Sequence, residues 1–161
     1  RVFVPQKQND INFNNMKITS SVFEEGEFIP TKYTCDGQNI NPPLEFGDIP
    51  NNAKSFALLV DDPDALGGDF VHWLIWNIDP QTNKIAEGIL PVGIAEGQTS
   101  FGENRYGGPC PPNGIHNYVF KLYALDIVMD DLSKNTNKQK FLKLIENHIV
   151  GFAKLVGKYS R

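Results

Sequence analysis

Three segments of this chain are apolar on both faces, a pattern that demands strands covered from two sides. Residues 55–61 read Ser-Phe-Ala-Leu-Leu-Val-Asp, a nearly continuous apolar run of strand length. Alternation over residues 70–78 sets Phe70, His72, Leu74 and Trp76 on one face and Val71, Trp73, Ile75 and Asn77 on the other. Residues 117–125 repeat it, with Tyr118, Phe120, Leu122 and Ala124 opposite Val119, Lys121, Tyr123 and Leu125. Two sheets, or a sheet lying under long loops, bury such strands. Residues 17–23 and 151–159 are further strand candidates, while the prolines of Asn41-Pro42-Pro43 forbid a central strand over 36–43. One helix is expected: Asn137 as N-cap, residues 138–149 as the body, Phe141, Leu142, Ile145 and Ile149 as the apolar stripe, and Gly151 as the stop. The fold class is therefore mainly β, with that helix packed on the outside.

A length of 161 residues suits one domain with its own core, and eleven Phe, five Tyr and two Trp favour a sheet-packed interior. Residues 16–161 form the expected domain, and residues 1–15, rich in Asn and Gln, an N-terminal extension. That extension lacks the apolar centre of a signal peptide. It reads either as the mature end left after a signal was removed or as an upstream extension, and an exported, periplasmic location is expected over a cytoplasmic one. A net charge of −4 supplies no basic field for a phosphate backbone, which excludes nucleic acid as the expected partner. No apolar run approaches the roughly 18 residues of a membrane-crossing helix, so no transmembrane segment is expected. Cys35 and Cys110 lack the short paired spacings of a zinc site or a redox dithiol, leaving two free thiols or one long-range disulfide.

The chemistry concentrates where glycine and proline do. Residues 88–114 are dense in both and read as one long irregular loop, and such loops inside compact domains are usually functional. Two segments each carry a histidine beside a strand: Asp61-Asp62-Pro63-Asp64-Ala65-Leu66 leading to His72, and Gly107-Gly108-Pro109-Cys110-Pro111-Pro112 leading to His116 and Tyr118. Prolines that hold backbone N–H groups in fixed directions, with imidazoles and a phenol as further donors, suit a small anion-binding concavity. Against this stands a plainer reading. A histidine on an apolar strand face is more often a satisfied core residue, and Asp-Pro-Asp more often a turn that caps its own backbone. Two such segments together favour the pocket.

These segments, with Phe70-Val71-His72-Trp73, Tyr33-Thr34-Cys35-Asp36-Gly37 and the ending Leu155-Val156-Gly157-Lys158-Tyr159-Ser160-Arg161, resemble the phosphatidylethanolamine-binding protein (PEBP) family, best its bacterial and archaeal Raf-kinase-inhibitor-like branch. The likeness runs from about Met16 to the final residue. It implies a β-sandwich with Greek-key connections, a few peripheral helices, and a pocket at one sheet end for phosphate-like headgroups. The ligand-binding residues it implies are Asp62, Asp64, His72, Gly108, Pro109, Cys110, His116 and Tyr118, with no catalytic residue, metal or cofactor. Binding without turnover is implied, of a small ligand bearing a phosphate or carboxylate. A kinase or serine protease as protein target, and a homodimer, are implied as well. Two positions depart from the family pattern: Leu66 stands where proline is usual, loosening the turn, and Asn117 where a basic residue is usual, removing a charge from the rim.

Three other readings compete. Cys110 and His116 with a nearby acid are the ingredients of a thiol hydrolase. His72, His116, Asp62 and Cys110 could converge as metal ligands, although no helix or hairpin spacing supports it. A serine protease inhibitor acting through a surface outside the pocket is the third. For the pocket itself, an Asp62 carboxylate beside the histidines is expected to raise their pKa above the unperturbed value of about 6.5.

Overall fold

The computed structural model describes residues 16–130 and 132–161, so the expected extension over 1–15 lies outside the described residues. In chain order the elements are β1 (Lys17–Thr19), a 3-10 turn (Thr31–Tyr33), β2 (Leu44–Gly47), β3 (Ser55–Asp62), β4 (Phe70–Ile78), β5 (Lys84–Ile85), β6 (Ala95–Glu96), β7 (Ile115–Leu125), α1 (Lys138–Ile145) and β8 (Ile149–Ser160). They build a three-stranded sheet, β1-β2-β5, and a five-stranded sheet, β6-β4-β3-β7-β8, with antiparallel pairing throughout. Within the larger sheet β7 returns after a long connection to lie beside β3, so the spatial order β7-β3-β4-β6 is that of a Greek key.

Cover from two sides is what the double alternation required, and it comes from two different layers. On one face Phe56, Leu58, Trp73, Ile75 and Phe120 pack against Ile18, Leu44, Phe46 and Ile85 of the small sheet. The other face, with Leu59, Leu74, Trp76 and Tyr123, receives Phe141 and Ile145 of α1. Trp76 and Phe141 stack with ring centroids 5.3 Å apart. Full burial of a side chain such as Phe141 stabilises by about 1.5–3 kcal/mol, which holds a two-turn helix that would not persist alone in water.

Several boundaries differ from the sequence reading. β1 stops at Thr19 rather than residue 23, because Ser20 Oγ turns to bond the Pro43 carbonyl and the chain leaves the ladder. Asn137 caps α1 as expected, its side chain accepting from Lys140 N at 3.0 Å. The helix, however, ends at Ile145 and not at 149. Ile149 pairs instead with Leu125 as the first residue of β8. Gly151 is consequently no helix stop. It lies within β8, where a Cβ would meet Pro50 at 2.9 Å and Met16 Sδ at 3.0 Å, so close packing and not chain reversal requires glycine there. The short strands β2, β5 and β6 escaped the pattern analysis because two to four residues carry too little alternation to register.

Candidate functional site

Antiparallel pairing brings the end of β3 and the starts of β4 and β7 to one edge of the large sheet, with Asp62 opposite Phe70 and Asp61 opposite Val119. The long loop folds over this edge and encloses a cavity of about 210 Å³. Of the eight residues expected there, Asp62, His72, Cys110, His116 and Tyr118 line it. Asp64, Gly108 and Pro109 are not among the lining residues, and their contacts tie the surrounding segments together. Asp64 Oδ2 accepts from Asn117 N at 2.8 Å and from Asn117 Nδ2 at 2.9 Å, tying the Asp-Pro-Asp turn to β7. Gly108 N donates to Asn39 Oδ1 at 2.7 Å, and a Cβ on Gly108 would lie 2.3 Å from Tyr33 O, so only glycine fits. The Pro109 carbonyl accepts from Cys35 N at 3.1 Å.

Asp62 caps its own turn and also holds a histidine. Its Oδ1 accepts from Asp64 N at 2.8 Å and caps the turn, while Oδ2 accepts from His116 Nδ1 at 2.7 Å and orients that ring. His72 donates from Nδ1 to the Gly107 carbonyl at 2.7 Å. Both imidazoles thus spend Nδ1–H on fixed acceptors, leaving Nε2 as the remaining polar atom of each. Tyr118 is the outlier: its hydroxyl is buried without a hydrogen-bond partner. The backbone N–H of Cys110 acts on it electrostatically, but short of good hydrogen-bond geometry. Burial, reinforced by Asp62, pushes the phenol pKa far up, so Tyr118 stays protonated and can donate.

One electrostatic expectation is overturned. The His72 pKa is lowered, not raised, because desolvation of a ring only 3% exposed outweighs the Gly107 carbonyl and the Asp62 charge. At neutral pH His72 is uncharged, and its Nε2 accepts.

Phe101 was missed from sequence. It sits on a loop with no periodicity to flag it, yet its ring meets Phe70 at 4.8 Å and His72 at 5.3 Å, both edge to face, and closes one side of the cavity. Its ring occupies the space a Cβ on Gly107 would need, at 2.4 Å. The two atypical positions resolve differently. Leu66 is 93% exposed at the cavity mouth, and Asn117 holds the turn through Asp64 as described.

Cys35 and Cys110 are joined, with Cα atoms 5.4 Å apart. A bridged Cys110 has no thiol to act as nucleophile, which removes the first ingredient of the hydrolase reading in this state. Among the described residues no group of three or more His, Cys, Asp or Glu side chains is placed to hold a metal ion, and no helix is long and apolar enough to cross a membrane.

Behind the site, Asp61 faces the opposite side of the sheet. Its Oδ2 accepts from Lys121 Nζ at 2.9 Å and Lys138 Nζ at 2.7 Å, and Lys138 reaches on to Asp69 Oδ2 at 2.8 Å. Adjacent aspartates therefore anchor the end of β3 from both faces.

Comparison with known proteins gives a consistent match. A family profile described as phosphatidylethanolamine-binding protein covers residues 19–160. A UPF0098 protein of Methanothermobacter thermautotrophicus is 44% identical over 151 residues, spanning 91% of this chain and 99% of its own. A UPF0098 protein of Pyrococcus horikoshii is 46% identical over 151 residues, spanning 88% of this chain and 75% of its own. Among solved structures, a PEBP homolog from Chlamydia trachomatis superposes with a TM-score of 0.87 at 39% identity, covering 92% of this chain and 99% of that one. E. coli YbcL, described as a member of the mammalian PEBP family, gives 0.86 at 28% identity, covering 91% and 99%.

Proposed function

The chain belongs to the phosphatidylethanolamine-binding protein family, and on that premise we propose that its cavity binds a small phosphorylated or carboxylated headgroup without transforming it. The observation that carries this reading is the buried, unpartnered Tyr118 hydroxyl, set in a cavity with two imidazoles whose Nδ1 atoms are already engaged. A ligand oxygen supplies the missing acceptor for Tyr118. His116, held by Asp62, presents Nε2 to the same ligand, and a charge-assisted bond there contributes about 1.5–3 kcal/mol.

Neutral His72 sets a condition on the ligand. Its Nε2 accepts, so the ligand must bring a donor: the P–OH of a phosphate monoanion, or the N–H of an ammonium attached to the phosphate. A bare phosphate dianion offers none and is repelled by Asp62. Among the described residues no Lys or Arg side chain lines the cavity to offset that repulsion. The pocket therefore selects a monoanion or a zwitterion. Calorimetric titration with O-phosphorylethanolamine, beside His116→Ala and His148→Ala, tests this. Loss of binding in the first variant and retention in the second is expected, because His148 lies beyond α1 and bonds Asp126. Equal affinities in all three chains would place the ligand elsewhere.

The protein target belongs to the same proposal, as a kinase or serine protease regulated by ligand occupancy; inhibition that survives pocket substitutions would move that role to another surface. A homodimer completes it, and sedimentation showing only the 18.0 kDa species at high concentration would remove it.

A further inference from the structure

The Cys35–Cys110 bridge links segments 75 residues apart, and one of its sulfurs belongs to the cavity wall. Both cysteines are half-buried, not enclosed. Arg161 donates from Nη1 to Cys110 Sγ at 3.4 Å, while its Nη2 lies 3.2 Å from Asp36 Oδ1 and Tyr159 OH donates to Asp36 Oδ2 at 2.7 Å. A guanidinium on one sulfur makes the two ends of the bridge unequal. It stabilises negative charge on Cys110, and a thiol of lower pKa departs faster in thiol–disulfide exchange. The carboxylate of Asp36 positions that cation from the far side.

We infer that the Cys35–Cys110 bridge is a thiol–disulfide exchange site that takes a dithiol reductant and whose state sets the affinity of the headgroup pocket. This rests on the headgroup reading above. The reductant's thiolate attacks Sγ of Cys35, forming a mixed disulfide as the Cys35–Cys110 bond breaks and its electron pair leaves on Cys110 beside Arg161. The second thiol of the reductant, losing its proton, then attacks its own sulfur in the mixed disulfide and releases Cys35. The dithiol ends as a disulfide and the protein gains its two electrons; of the dithiol's two protons one goes to Cys35 and the other to solvent, and Cys110 stays a thiolate beside the guanidinium.

Two consequences reach the ligand. The opened Cys110 places negative charge in the wall of a cavity that takes an anion. The wall also slackens: Gly107, whose carbonyl orients His72, and Pro111 lie on the segment the bridge had tethered. It does not detach. Cys35 N still bonds the Pro109 carbonyl, Gly108 N still bonds Asn39, and Tyr106 OH still donates to Tyr33 O at 2.8 Å. Reduction therefore weakens binding and leaves the fold in place.

The test compares the full chain, oxidised and treated with dithiothreitol, by titration with O-phosphorylethanolamine, with iodoacetamide trapping and mass spectrometry to count free thiols and far-UV circular dichroism to follow the fold. Expected are native-state opening of the bridge, an unchanged spectrum, and binding several-fold weaker. Arg161→Gln should slow the opening several-fold. A Cys35→Ser/Cys110→Ser chain, which slackens the wall without the thiolate charge, should bind more weakly than the oxidised protein and more tightly than the reduced one, and if that variant fails to fold, the reduced wild type decides alone. A bridge that opens only as the protein unfolds, or reduced protein that binds as tightly as oxidised, overturns the inference and leaves the pocket reading standing. Oxidised protein that ignores the probe overturns the pocket reading, and this inference with it.

Discussion

Replacing Tyr118 by phenylalanine should weaken ligand binding and at the same time fail to destabilise the fold. The hydroxyl has no hydrogen-bond partner in a residue 1% exposed, and leaving a buried polar group unsatisfied costs about 1–3 kcal/mol. Tyr118→Phe removes that group and keeps the ring, including its edge-to-face contact with His72 at 5.2 Å. Stability should therefore change by between zero, where cavity water reaches the hydroxyl, and a gain of about 1–3 kcal/mol. Binding moves the other way. Losing a charge-assisted bond of about 1.5–3 kcal/mol weakens affinity about tenfold to a hundredfold. Tyr106→Phe is the matched control, since that hydroxyl is satisfied by Tyr33 O at 2.8 Å; it should destabilise by about 1 kcal/mol and leave binding alone. Urea denaturation at constant slope reports the first quantity and calorimetry with O-phosphorylethanolamine the second. Tyr118→Phe that loses stability like Tyr106→Phe, or binds like wild type, would refute the reasoning.

Three other expectations follow from the geometry. Burial lowers the His72 pKa in the folded chain, so the unfolded chain takes up its proton first as pH falls: stability is full above about 6.5 and declines below it by up to about 1.4 kcal/mol per pH unit until the folded ring titrates. Denaturation midpoints from pH 8 to 5 should show this limb in wild type and lose it in His72→Gln. Lys121→Met breaks a pair in which both side chains are 0% exposed and should cost about 3 kcal/mol, toward the low end for buried pairs because Lys138 still meets Asp61; a loss under about 1 kcal/mol by urea denaturation would mean that Lys138 suffices. Cys35→Ala/Cys110→Ala should cost about 4 kcal/mol in the chain-entropy account of a 75-residue loop, read as a drop in thermal midpoint that reduced wild type reproduces.

The architecture was legible wherever burial left a long periodic trace. The apolar run over 55–61 and the alternation over 70–78 are long enough that the strands appear within a residue of their expected ends, and covered faces implied layers on both sides. Short edge strands and the C-terminal limit of α1 were not legible, since Ile149 fits a helical stripe and a strand equally well and only its pairing with Leu125 decides. At the site, residue identities were readable and their division of labour was not. Asp64, Gly108 and Pro109 share the motifs of the lining residues but bond neighbouring segments, Asp64 at the surface and the other two buried, and no local pattern separates bracing from lining. Phe101 left no trace because its role depends on a long-range ring contact.

The direction of the His72 shift carries the same lesson into chemistry. Proximity of a carboxylate argues for a charged imidazole, and that argument needs only the sequence. Burial argues for a neutral one, and its size depends on how completely Phe70, Phe101 and Tyr118 enclose the ring, which only the fold determines. Asp62 does not win this contest: its hydrogen bonds go to His116 and to the turn, and it acts on His72 only as a charge through space, which is weaker than the desolvation. The carboxylate thus bonds His116 directly and reaches His72 only through space. That asymmetry makes the two imidazoles unlike in their surroundings: His72 is neutral and enclosed by aromatic rings, and His116 is held against a carboxylate.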